Sequence, residues 1–146
     1  MQGFFTFEKN SIMKKIEHIG IAVKNIDEAE KRFARLLGVA SYKRETVESE
    51  GVITSFFKVG ESKIELLSAT HLGSPIQKFI DKKGEGMHHI AFEVNHIEQE
   101  IENLKNEGFI FINETPKKGA DQKRIAFVHP KSTGGILVEI CQDIKK

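Results

Sequence analysis

The chain has 146 residues, with 22 Lys and Arg against 21 Asp and Glu, a length that suits one domain or two small modules sharing a core. A net charge of +1 offers no basic surface to nucleic acid, and no apolar run approaches a membrane span. The single cysteine excludes an intramolecular disulfide and a cysteine-based zinc site. Residues 1–12 carry Phe4, Phe5 and Phe7 without a clear period, without a basic start and without a long apolar core. They read as an N-terminal extension or expression remnant rather than a signal peptide, and the protein as cytoplasmic. From Lys15, Ile19, Ile21 and Val23 alternate with His18, Gly20 and Ala22, which predicts a strand. Asp27 can cap a helix that runs to Leu37 and stops at Gly38. Strands are expected over 39–47, 52–59 and 62–68, then a helix over 74–83 with Pro75 in its first turn. A strand over 87–95, a helix over 97–106 and strands near 109–112, 123–129 and 135–141 complete the chain.

The order βαβββ therefore occurs twice, over about 14–70 and 86–142, with helix 74–83 as the link. His18-Ile-Gly-Ile-Ala-Val23 returns 71 residues later as His89-Ile-Ala-Phe-Glu-Val94, and Ile64-Glu-Leu66 returns 74 residues later as Val138-Glu-Ile140. Such self-similarity sets the architecture. Residues at i and i+2 share a strand face. The flanking Ile, Leu and Val residues therefore pack under the helices, while His18, Glu65, His89 and Glu139 occupy the opposite faces. Two imidazoles and two carboxylates would then converge on one concave surface. That donor set suits a borderline or hard divalent ion such as Co²⁺, Mn²⁺, Zn²⁺ or Ni²⁺, with up to two positions open on an octahedral ion. The expected fold is α+β: one domain over 13–146, its two modules forming a cupped mixed sheet around a metal site.

With these residues in view, the sequence resembles the vicinal oxygen chelate superfamily, and within it the methylmalonyl-CoA epimerase family. The matching stretches are 17–23, 63–67, 74–80, Lys83-Gly-Glu-Gly-Met-His-His-Ile-Ala-Phe92 and Phe127-Val-His-Pro-Lys-Ser-Thr-Gly-Gly-Ile-Leu-Val-Glu139. The resemblance covers about residues 14–142. It implies metal ligands at His18, Glu65, His89 and Glu139, with Co²⁺ the first expectation and Mn²⁺, Ni²⁺, Zn²⁺ or Mg²⁺ as alternatives. Of the adjacent histidines, His89 aligns with His18, and alternation would turn His88 to the other face, so His88 is read as a structural residue or as one that supports a metal ligand.

The resemblance implies interconversion of (R)- and (S)-methylmalonyl-CoA, within propionate metabolism. The C2 proton is removed to give a metal-stabilised enolate and returned from the other face. Glu139 is expected to serve as one base as well as a ligand. The family's second base is a Glu two residues before a Gly-Val pair; here the pair is Gly51-Val52 and that position is Ser49. Glu48 and Glu50 flank it, and the approach to a turn after Val47 favours Glu48. His129, His71, His96 and Cys141 are read as structural or surface residues. Lys117, Lys118, Lys123 and Arg124 are either donors to CoA phosphates or a solvated turn. The alternatives are a glyoxalase I acting on a glutathione hemithioacetal and a metal-free binding or resistance protein of the same fold. Exposed sheet edges point to a homodimer.

Overall fold

Period-two alternation from Lys15 becomes strand β1 (Lys15–Ala22), followed by α1 (Ile26–Leu37), β2 (Lys43–Val47), β3 (Val52–Val59) and β4 (Ser62–Ala69). Helix α2 (Pro75–Lys83) leads into β5 (Gly86–Glu93), α3 (Ile97–Asn106), β6 (Lys117–Lys118), β7 (Lys123–Val128) and β8 (Val138–Asp143). The computed structural model describes residues 13–144, so the expected extension over 1–12 lies outside the described residues.

Local chemistry sets the helix ends. The cap of α1 is Asn25, not Asp27: its backbone is extended and its Oδ1 accepts the Glu28 N–H at 3.0 Å. Asp27 lies inside the first turn, where its charge meets the positive end of the helix dipole. Gly38 closes the helix in the left-handed region at φ 73°, its N–H donating to the Ala34 carbonyl. Ser74 caps α2 through the Ile76 N–H, and Pro75 occupies the first turn.

Three strand boundaries differ from the pattern reading. The strand expected over 39–47 begins only at Lys43. The strand expected near 109–112 is a single bridge, Phe111 to Val128. There the Asn113 side chain replaces the ladder, accepting the Phe127 N–H at 2.9 Å, and Pro116 has no N–H to offer. Pairing resumes as the two-residue β6. The last strand starts at Val138 because Gly134 and Gly135, at φ 72° and 103°, turn the chain first.

The eight strands form one curled mixed sheet in the order β2-β3-β4-β1-β5-β8-β7-β6. Read outward from the β1–β5 seam, the two halves are equivalent: β1, β4, β3, β2 on one side and β5, β8, β7, β6 on the other. The pairs β1–β4 and β5–β8 are parallel and every other pair is antiparallel. The repeat extends to register, because Gly20 faces Glu65 in one half and Ala91 faces Glu139 in the other. It extends to the core as well. Val23, Ala29, Phe57 and Leu66 pack with α1, and Val94, Ile97, Ile101 and Ile140 pack with α3. Each large side chain fully buried there contributes about 1.5–3 kcal/mol. Helix α2 covers the other face of the first half through Ile76 and Ile80, against Ala22, Val52 and Leu67.

The seam departs from regular pairing twice. Ile19 faces Ile90, but the register slips between Ile16 and His18 and again between Gly20 and Ile21. Glu17 and His88 are the residues left without a partner, one bulge in each strand. A bulge breaks alternation and re-aims the side chain it carries.

Candidate metal centre

His18, Glu65, His89 and Glu139 stand on the four central strands β1, β4, β5 and β8 and are all buried. The two imidazole Nε2 atoms are 3.0 Å apart. His18 Nε2 lies 3.4 Å from Glu65 Oε1 and 3.6 Å from Glu139 Oε1. His89 Nε2 lies 3.5 Å and 3.3 Å from the same two atoms. Donor atoms of His18, His89 and Glu139 all fall within 4.8 Å of one another. Adjacent donors on an ion with bonds near 2.1 Å are about 3 Å apart, so the spacing of these three fits a single divalent ion, with Glu65 beside both imidazoles.

The charges are matched to one another. Burial alone would lower the His18 pKa, but the Glu139 and Glu65 carboxylates beside it hold it well above the usual histidine value. Burial would likewise raise Glu139, and the His18 charge beside it brings it below the usual carboxylate value.

Gly20 makes room for the second imidazole. It faces His89 across the seam, and a Cβ on it would lie 2.2 Å from His89 Cε1. The equivalent residue facing His18 is Ala91.

The two bulge residues reach the other nitrogen of each imidazole. His18 Nδ1–H donates to Glu17 Oε1 at 2.6 Å, and His88 Nδ1 lies 2.9 Å from His89 Nδ1. His88 is therefore not turned away from the site, as alternation predicted. The bulge at His88 removes the alternation on which that expectation rested. Burial, and then the His89 ring beside it, lowers the His88 pKa to about 4. Glu17 is 2% exposed and held by Lys63 Nζ at 2.8 Å and Lys123 Nζ at 3.6 Å. Pattern reading placed Glu17 on the apolar face of β1. A carboxylate in that row, matched at the repeat offset by a second polar residue, was the signal available.

The centre opens into a cleft walled by Phe56, Leu67, Ile76, Ile125 and Phe127. Glu50 belongs to that wall and pairs with Lys117 at 2.8 Å. Residues 48–50 form a single 3-10 turn, and Glu48 is not among the residues lining the cleft. Glu50 and not Glu48 therefore stands at the cleft, because the turn rotates successive side chains away from strand alternation. At the rim, Asp121 accepts from Lys43 Nζ at 2.9 Å and Lys63 Nζ at 2.6 Å, and its N–H donates to Glu45 at 2.9 Å. These bonds tie the β6–β7 loop of the second half to the first. Lys123 is buried against Glu17 and Arg124 pairs with Glu98, so neither is a free phosphate donor. His129 caps the turn that follows it, its Nδ1 accepting the Lys131 N–H at 3.0 Å.

Residues 17–127 match the glyoxalase/bleomycin resistance protein/dioxygenase superfamily. The chain belongs to that superfamily. Within it, the mitochondrial methylmalonyl-CoA epimerase of Homo sapiens is 36% identical over 88% of this chain and 73% of its own length. The ethylmalonyl-CoA/methylmalonyl-CoA epimerase of Cereibacter sphaeroides is 35% identical over 88% of this chain and 97% of its own. A solved methylmalonyl-CoA epimerase in complex with methylmalonyl-CoA and NH4+ superposes with a TM-score of 0.86, at 30% identity, over 90% of this chain and 95% of that one. The curled eight-stranded sheet is thus the fold of the superfamily, and these similar members of it are epimerases.

Proposed function

We propose that this chain is a metal-dependent methylmalonyl-CoA epimerase acting in propionate metabolism, with the ion held by His18, Glu65, His89 and Glu139. The observation that carries this reading is the convergence of the buried donors of His18, His89 and Glu139 at one ion's spacing, with Glu65 beside both imidazoles, in a chain whose superfamily relatives are named for that activity. A bound divalent ion supplies Lewis acidity to the substrate oxygens, which lowers the cost of removing the C2 proton. Co²⁺ is the first expectation, with Mn²⁺, Ni²⁺, Zn²⁺ and Mg²⁺ as alternatives.

The chain's own residues supply the rest. Glu139 takes the C2 proton on one face, and Glu50, held to the cleft wall by Lys117, serves the other. Glu48 is the substitute if the turn rearranges. Each base is worth about 10²–10⁴ in rate. The apolar wall excludes water, which keeps the proton between base and carbon. A complete donor set speaks against a metal-free binding protein of the same fold.

Among the described residues no helix is long and apolar enough to cross a membrane. We place the protein in the cytoplasm, although the human relative is named as mitochondrial. We read it as a homodimer, supported by the sheet edge left open at β2.

Deuterium uptake from D₂O at C2 of methylmalonyl-CoA, followed by NMR, tests the proposal. Co²⁺-loaded protein is expected to exchange C2 with inversion. Chelation or Glu139→Ala should abolish exchange, and Glu50→Gln should slow inversion more than Glu48→Gln. Metal-loaded wild-type protein without exchange sinks the substrate assignment, and the glutathione hemithioacetal is then the next substrate to try.

A further inference from the structure

The two imidazoles of the centre are alike in strand position but unlike in what touches their outer nitrogens. The pseudo-symmetric bulges place a residue immediately before each histidine against its Nδ1. In the first half that residue is a carboxylate, Glu17; in the second it is an imidazole, His88. Glu17 is tied down on three sides: by His18 at 2.6 Å, by Lys63 at 2.8 Å and by Lys123 at 3.6 Å. Lys63 in turn reaches Asp121 at 2.6 Å, so the carboxylate cannot rotate away without breaking a chain of ion pairs.

We infer that Glu17 is a positioning residue for the metal centre. Its carboxylate holds the His18 proton on Nδ1, leaves Nε2 free as the donor, and makes His18 the stronger of the two imidazole ligands. The inference rests on the metal reading proposed above and deepens it.

A carboxylate accepting from Nδ1–H fixes both the tautomer and the ring angle of a ligating histidine and raises its basicity. The bond is charge-assisted and short, as 2.6 Å implies. Lys63 and Lys123 keep Glu17 ionised inside the fold. His88 has no carboxylate to lend. Its Nδ1 lies 2.9 Å from His89 Nδ1, and its ring packs edge-on against Phe79 at 4.9 Å between ring centroids. The bulge in β1 is what makes this possible: in regular alternation Glu17 and His18 would point to opposite faces of the sheet.

The test compares wild-type protein with Glu17→Gln, which keeps the shape and an acceptor but removes the charge. Zn²⁺ affinity is measured by chelator competition, and the Zn²⁺-loaded proteins are compared by ¹H–¹⁵N NMR of the histidine rings. Glu17→Gln is expected to bind Zn²⁺ about 10–100-fold more weakly. The His18 Nδ1–H resonance, far downfield in wild type, should move upfield in the variant, while that of His89 stays in place. A structural role alone would leave that resonance unmoved in the folded protein. Unchanged affinity and an unmoved resonance overturn the inference and leave the metal reading intact. Wild-type protein that takes up no Zn²⁺ overturns both. Should Glu17→Gln fail to fold, the wild-type spectrum decides: His18 protonated on Nδ1 supports the inference, and a ring protonated on Nε2 overturns it.

Discussion

Replacing Gly20 by Ala is the sharpest steric test of the centre. The position faces His89 across the seam, and its φ is not in the left-handed region, so Ala meets no backbone penalty there. The whole effect is contact. A Cβ would lie 2.2 Å from His89 Cε1, 2.4 Å from Nδ1 and 2.8 Å from Nε2. Ordinary van der Waals contact begins near 3.4 Å, so the ring must retreat by about 1.2 Å. Metal–ligand distances tolerate only about ±0.2 Å. Displacing His89 also loosens its 2.9 Å contact with His88. Overpacking of this kind costs about 1–3 kcal/mol of stability, which a fold of this size can absorb while the donor geometry cannot. The expected result is a folded Gly20→Ala protein whose Co²⁺ affinity, read by chelator competition, falls at least about tenfold. Its melting temperature should gain far less from added Co²⁺ than wild type does. If the variant bound Co²⁺ as tightly as wild type, His89 would not be held where the seam places it, and its role as a ligand would fall with that.

Two further expectations concern stability. Asp121 has its pKa lowered from 3.8 to about 2: burial would raise it, but Lys63 and Lys43 outweigh that. A depressed carboxylate stabilises the fold above its unfolded value near 3.8 and loses that contribution as pH falls toward about 2. After allowance for its partial exposure, Asp121→Asn should cost about 1–2 kcal/mol near neutral pH and flatten the acid limb of the stability curve between pH 4 and 2. Urea unfolding at several pH values checks this, and parallel acid limbs in both proteins would refute it. Leu66 is fully buried under α1, on the face opposite Glu65. Leu66→Ala should cost about 2–5 kcal/mol in denaturant unfolding, yet leave the folded protein's Co²⁺ affinity unchanged; loss of affinity in folded protein would refute the separation of the two faces.

The repeat was legible without coordinates because its signals are local. Strand alternation put His18 and Glu65 on the face away from the apolar row, and the same signature returned at His89 and Glu139. Copying one βαβββ unit onto the other then implied the two-half sheet. Helix ends were legible for the same reason: Gly38, Ser74 and Pro75 act on backbone groups within a turn of themselves. Where the reading erred locally, as at Asp27 against Asn25, the competing cap lay two residues away. Pairing, by contrast, is a property of two strands at once. The bulges at Glu17 and His88 exist because β1 and β5, far apart in the chain, slip past each other at the seam, and a polar residue in each apolar row is the one trace of that slip in the sequence. Only the folded sheet therefore decided that Glu17 and His88 meet the imidazoles, that Gly20 must lack a side chain to admit His89, and that Glu50 rather than Glu48 walls the cleft. The same holds for Asp121, whose partners Lys43 and Lys63 belong to the other half of the sheet. Alternation specifies which face a residue takes, and long-range register specifies what it finds there.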